Sequence, residues 1–308
     1  MKWKGRRSSS NVQKRGSASS GSGGFSGGGF GGGGRRTGGG GGGFPIPMGG
    51  GIGTIILIII VMLLFGNPFG GGNTPTQPGN VPQENSAQQD LSAEEAELQD
   101  FLSVVLADTE DYWNKIFQDN NMQYREPTLV LYQDTVQSGC GAARSNMGPF
   151  YCPADEGVYI DVAFYHDLKN NYGAQGGEFA MAYVLAHEVG HHVQKLLGVT
   201  DEVFSLQQRL PEKEFNKYMV RMELQADYYA GVFAHYTQRS GYLEEGDFEE
   251  ALSAAAAVGD DRIQEQAWGQ VVPDKFTHGT SDQRMEWFKR GFQYGTLQDG
   301  DTFNAPSL

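Results

Sequence analysis

The chain has 308 residues, enough for one large domain or two small ones, and a formal net charge of -14. Its charge is divided: all eight charged residues before Val81 (Lys2, Lys4, Arg6, Arg7, Lys14, Arg15, Arg35 and Arg36) are basic, whereas residues 84–308 carry all 37 acids against the remaining 15 bases. So acidic a body excludes general nucleic-acid binding, because that affinity rests on neutralising phosphates.

Residues 16–51 are rich in Gly and Ser and cannot form a core, so residues 1–45 read as a disordered, basic, cytoplasmic arm. Residues 52–65 then read IGTIILIIIVMLLF, an uncharged run of 14 residues. That is short of the roughly 20 needed to cross a bilayer. No charge lies between Arg36 and Glu84, however, so Ile46, Pro47, Met48 and Phe69 extend the apolar length. A cleaved signal peptide would not normally follow so long an arm, and no Ala-x-Ala pattern follows Phe65. A core helix is not usually apolar all round and flanked by glycine-rich coil. The expectation is therefore a single transmembrane anchor over residues 46–69. Bases before it and acids after it put the amino terminus in the cytoplasm. The body then lies on the extracytoplasmic, periplasmic side of the inner membrane. Residues 70–90, rich in Pro, Gly, Asn and Gln, read as a flexible linker to a folded domain over 91–308.

Ser92-Ala93-Glu94-Glu95 has the form of a capping box, and Leu98, Leu102, Val105 and Leu106 recur behind it at helical spacing. Strands are expected over 127–132 and 157–162. Cys140 and Cys152 are the only two cysteines. In an oxidising compartment they are expected to form a short-loop disulfide, the alternative being two separate buried thiols. Helices are expected over 178–197 and 213–238, in an alanine-rich stretch within 247–266, and over 281–292 with Ser281 as cap. The fold class is α+β, mainly helical with a small β-sheet.

The chemistry concentrates at His187-Glu188-Val189-Gly190-His191. On a helix turning roughly 100° per residue, positions four apart lie about 40° apart around the axis. His187 and His191 thus present their imidazoles to one point, as two ligands of a tetrahedral Zn2+ site require. Glu188 can then act on a zinc-bound water as general base. Gly190 leaves room for another helix. The preceding residues 181–186 are apolar, and burying His, Glu and His together is costly unless they are paired or ligated. His192 points away from that face and reads as a satisfied histidine without a metal role. By chance alone the five-residue pattern occurs in roughly one chain of this length in a hundred, so a third ligand matters.

Glu223 and Asp227 are again four apart, within Glu223-Leu224-Gln225-Ala226-Asp227-Tyr228-Tyr229-Ala230-Gly231. One carboxylate can complete the metal site while the other receives the N–H of a ligand histidine. Glu223 is the favoured third ligand and Asp227 the supporting carboxylate. His235 and His166 are the rivals.

HEVGHHVQ followed by ELQADYYAG resembles the bacterial "putative neutral zinc metallopeptidase" family, the YpfJ type. Residues 1–8, Gly148-Pro149-Phe150-Tyr151-Cys152 and Phe276-Thr277-His278-Gly279-Thr280-Ser281 are similar too, so the likeness spans nearly the whole chain. The resemblance implies a zincin-like peptidase of gluzincin type, with His187, His191 and Glu223 as zinc ligands, Glu188 as catalytic acid/base and Asp227 steadying a ligand histidine. It extends faintly to His278 and Arg284, either of which could stabilise an oxyanion. The alternative is a capping histidine and an ordinary arginine. His278 is kept as a catalytic candidate. In such folds a strand ahead of the zinc helix pairs with an extended substrate, a role open to 158–162. The expected function is a membrane-anchored zinc endopeptidase acting on proteins or peptides. The rival is a non-catalytic envelope-binding scaffold with a structural metal or none, which would have no use for Glu188.

Overall fold

The computed structural model describes residues 1–15 and 92–308. The expected anchor and linker lie outside the described residues, and among the described residues no helix is long and apolar enough to cross a membrane. The body is mainly helical with two small sheets, an α+β arrangement.

Helix α1 (Ala93–Asp119) begins at the reciprocal Ser92/Glu95 capping box read in the sequence. It buries Phe101, Leu102, Val105, Leu106 and Trp113. After it come β2 (Thr128–Tyr132), the hairpin β3 (Thr135–Ser138) and β4 (Gly141–Arg144), then β5 (Phe150–Cys152) and β6 (Gly157–Asp161). A disulfide joins Cys140 in the hairpin turn to Cys152 at the end of β5. With β1 (Val12–Lys14) at one edge, the main sheet has the order β1-β2-β6-β5, β6 being parallel to β2 and β5 antiparallel to β6. The strand expected to receive an extended substrate is therefore interior, held by neighbours on both sides; the edge strands are β1 and β5.

Strand β1 is Val12–Lys14, parallel to β2 with Val12 opposite Leu129 and Lys14 opposite Leu131. This corrects the expectation of a disordered arm for its first fifteen residues, which lie ordered against the body. Composition gave no sign of it. The segment has almost no apolar periodicity, and its order comes from backbone pairing and carboxylates supplied by distant parts of the chain.

The remaining helices are α2 (Phe164–Asn170), α3 (Glu178–Leu196), α4 (Val199–Gln207), α5 (Glu212–Arg239), α6 (Asp247–Ala257), α7 (Asp260–Trp268) and α8 (Ser281–Tyr294). The alanine-rich stretch is thus two helices, broken at Val258-Gly259, where a Cβ on Gly259 would run into Ser281. The cap of α8 is Thr280, not Ser281. Thr280 has the extended backbone a cap needs, its Oγ1 accepts from the Gln283 N–H, and the Gln283 side chain returns the contact.

Apolar α3 is sandwiched among α1, α5 and α6, so its polar residues face a defined interior site. Gly190 permits the crossing with α5: a Cβ there would sit 3.0 Å from the Ala226 carbonyl oxygen and 3.1 Å from its Cα. Closer still is the pairing of α5 with α8, where a Cβ on Gly291 would overlap the Tyr228 carbonyl and one on Gly231 that of Phe288. Gly291→Ala is expected to destabilise the fold by about 1–3 kcal/mol through overpacking. Thermal unfolding of the purified variant measures this; an unchanged midpoint would show that the two helices can separate freely.

Candidate metal centre

Helices α3 and α5 bring His187, His191 and Glu223 together, each offering one ligand atom, all within 4.8 Å of one another. His187 Nε2 lies 3.3 Å from Glu223 Oε2, and His191 Nε2 lies 3.5 Å from Glu223 Oε1. A tetrahedron with metal–ligand distances near 2.1 Å has edges of about 3.4 Å, so these spacings fit one small ion between the three side chains. The residues present therefore suit Zn2+: two imidazoles and a carboxylate, nearly buried, with a cleft on the open side.

Both imidazoles are aimed by their other nitrogen. His187 Nδ1 is 2.9 Å from Asp227 Oδ1, and His191 Nδ1 is 2.9 Å from Gln194 Oε1. A carboxylate can only accept, so Nδ1 of His187 carries a proton, and Nε2, turned towards Glu223, is the nitrogen that a metal would take. Gln194 is fully buried and is itself held by donating to the Met222 carbonyl and to Gln225 Oε1. Sequence reading missed this residue, although its place three after His191, on the same helix face, was a usable sign.

Asp227 is wholly buried and is the hub of the support. Its Oδ1 also accepts from the Tyr183 hydroxyl at 2.6 Å and from Arg284 Nη2 at 3.0 Å, while Oδ2 accepts from Arg284 Nε at 2.8 Å. Burial disfavours the Asp227 carboxylate, but Arg284 and His187 outweigh it and hold its pKa below the usual range. Arg284 thus sits behind His187, clamped fork-to-fork on a carboxylate. Its guanidinium is bonded to Asp227, Tyr183 and the Val258 carbonyl, so Arg284 is no ordinary surface arginine but a buried partner of Asp227. Tyr183, one turn before His187, was also missed.

His278 lines the cleft beside the three ligands. Its loop is fixed by Asp260 Oδ2, which accepts from the backbone N–H groups of Thr277, His278 and Gly279 at 2.7, 2.6 and 3.0 Å. Nδ1 of His278 faces Thr277 Oγ1 and Asp260. Burial opposes its charged form, but Glu223 and Asp260 prevail and raise its pKa. Glu188 lies in the same cleft with no hydrogen-bond partner among the described residues, and burial pushes its carboxyl up against the pull of both imidazoles.

The rivals stand elsewhere. His235 Nδ1 bonds the Phe292 carbonyl at 2.7 Å, and His166 is exposed on α2. Both nitrogens of His192 are occupied, by the Tyr151 hydroxyl at 2.9 Å and the Arg125 carbonyl at 2.6 Å, which makes it a satisfied core histidine.

The cleft walls are apolar. Phe164, Tyr172, Val184 and Val258 line it together with Phe204, Met219 and Met222, and residues 147–151 leading into β5 form its rim.

A family model described as "Putative neutral zinc metallopeptidase" matches residues 1–303. The "Uncharacterized protein YpfJ" of Escherichia coli (strain K12) is 55% identical over 223 residues, covering 72% of this chain and 77% of that one. The "Uncharacterized protein Rv2575" of Mycobacterium tuberculosis (strain ATCC 25618 / H37Rv) is 46% identical over 195 residues, covering 60% and 65% respectively. No solved structure matches the chain.

Proposed function

The chain belongs to the neutral zinc metallopeptidase family, and from that premise we propose that it is a zincin-like endopeptidase whose His187, His191 and Glu223 hold Zn2+. The observation that carries the reading is the convergence of those three ligand atoms at 3.3 and 3.5 Å on the floor of an apolar cleft that also holds Glu188. Bound there, the ion would supply Lewis acidity to the scissile carbonyl and to the attacking water.

Glu188 takes the proton of that water on its carboxylate and delivers it to the leaving amine nitrogen. A purely structural site would not need a free carboxylate in the cleft, which is why the peptidase is preferred to a scaffold. His278, raised by Glu223 and Asp260 towards its charged form, donates to the oxygen that gains charge as the carbonyl is attacked. Asp227, Tyr183 and Arg284 keep His187 in one tautomer, and Gln194 orients His191. The apolar walls exclude water and receive apolar side chains of the substrate, whose backbone runs along the edge strand β5. Membrane association through residues 46–69, supported by the uncharged apolar run, and an extracytoplasmic body, supported by the Cys140–Cys152 disulfide, complete the proposal, which does not require that the run cross the bilayer.

Chelation is expected to abolish hydrolysis of an unfolded protein substrate, and one equivalent of Zn2+ to restore it. Burial works against a charged His187, but Asp227 and Glu223 outweigh it and hold the imidazole up at about 9 in the metal-free protein. Below that pH the ion must displace a proton, so affinity should fall as pH is lowered from about 9 towards neutrality. Full hydrolysis after complete metal removal would end the proposal.

A further inference from the structure

The first fifteen residues lie along α1 and reach the start of the zinc helix. Trp3 Nε1 donates to Glu178 Oε2 at 2.9 Å, in the first turn of α3, while its ring packs edge-on against Phe101. The Lys2 N–H donates to the Tyr242 carbonyl at 2.8 Å, and the Arg6 guanidinium lies over the Tyr242 ring. Farther on, the Ser9 N–H bonds the Ser103 carbonyl, the Leu129 N–H bonds the Asn11 carbonyl, and β1 completes the sheet.

Four of the six basic residues of this segment pair with carboxylates on the body, and Lys2 and Arg15 donate to the Gly241 and Gln137 carbonyls there. Lys4 pairs with Glu97 at 2.6 Å, Arg6 with Asp108, Arg7 with Asp111 at 2.7 Å and Glu110 at 3.3 Å, and Lys14 with Asp100 at 3.2 Å. Exposed pairs of this kind contribute little singly. Asp108 and Glu110 differ, being only 5% and 3% exposed. Their side-chain partners among the described residues all come from the segment: Arg6 for Asp108, and Arg7, Ser9 and Asn11 for Glu110. Carboxylates buried like this are costly without such partners.

We propose that residues 1–15 are an integral strap of the peptidase body, and that strap and body therefore occupy the same side of the membrane in the working protein. The basic charge of the strap then serves docking, where the sequence alone suggested a topology signal. Lys14 reaches Asp100 near the start of α1, so Arg15 and Ser92, which bound the segment between them, lie on neighbouring parts of the body. A stretch with both ends on one face of a membrane crosses it an even number of times or not at all. Docking in this way is incompatible with a single crossing at 46–69.

The test uses the full chain in cells. Cys140 and Cys152 are paired and no free thiol is present among the described residues, so single cysteines can be introduced at exposed Ser10 and exposed Glu245. Ser10→Cys and Glu245→Cys are each treated with a membrane-impermeant maleimide before and after permeabilisation. Both are expected to become reactive at the same stage. A second arm joins Lys4→Cys to Glu97→Cys with a short bis-maleimide, and an intrachain crosslink in the membrane fraction is expected. Labelling of the two positions at opposite stages, or same-stage labelling without the crosslink, would overturn the proposal. Neither readout depends on zinc or on hydrolysis, so failure here leaves the peptidase reading standing.

Discussion

Glu188→Gln is expected to leave the bound metal in place and to lower peptide hydrolysis by roughly 10²- to 10⁴-fold, the usual contribution of a positioned general acid/base. The substitution is nearly isosteric and removes only the ability to take a proton. Among the described residues Glu188 makes no hydrogen bond on which the fold relies, and it is not among the three converging ligand side chains. Metal content and unfolding midpoint should therefore match the parent protein. Zinc at one equivalent with hydrolysis unchanged would remove Glu188 from the mechanism; loss of both metal and activity would make it a structural residue.

The second large effect is expected at Asp227. Asp227→Asn keeps the shape of the side chain and an oxygen for His187, but leaves the Arg284 guanidinium, only 3% exposed, without its counter-charge. Removing one partner of a buried ion pair typically costs about 3–5 kcal/mol of stability. Loss of the carboxylate behind a ligand histidine typically lowers metal affinity by about 10- to 100-fold. Both readouts should move together, in denaturant unfolding and in competition with a zinc chelator. Adding Arg284→Met should recover part of the stability and none of the affinity, since the stranded charge is gone but His187 remains unsupported. Wild-type zinc affinity in Asp227→Asn would show that the imidazole is held by other contacts.

What could be read from the sequence was local. The zinc helix and α5 announce themselves through four-residue spacings within apolar stretches, and the distance between Glu223 and the two histidines follows once those helices cross at Gly190. The alanine-rich segment gave its helical character but not its break, because Gly259 is explained by Ser281, more than twenty residues away. Arg284 was recognisable as a candidate, yet its role depends on which side of His187 it approaches, and only packing of α8 on α5 decides that. Strand β1 was the least visible. Three residues of a basic segment become a strand only because β2, over a hundred residues later, presents an open edge.

The reach of Arg284 into the site bears on when that site comes into being. This residue stands on α8, so a chain still emerging from the ribosome can already hold His187, His191 and Glu223 but not the guanidinium that balances Asp227. Domains fold as units while synthesis proceeds from the amino end at about 5–20 residues per second. Completion of the site is thereby tied to synthesis of α8: a chain that stops before it carries the three converging ligand residues and lacks the group that steadies Asp227.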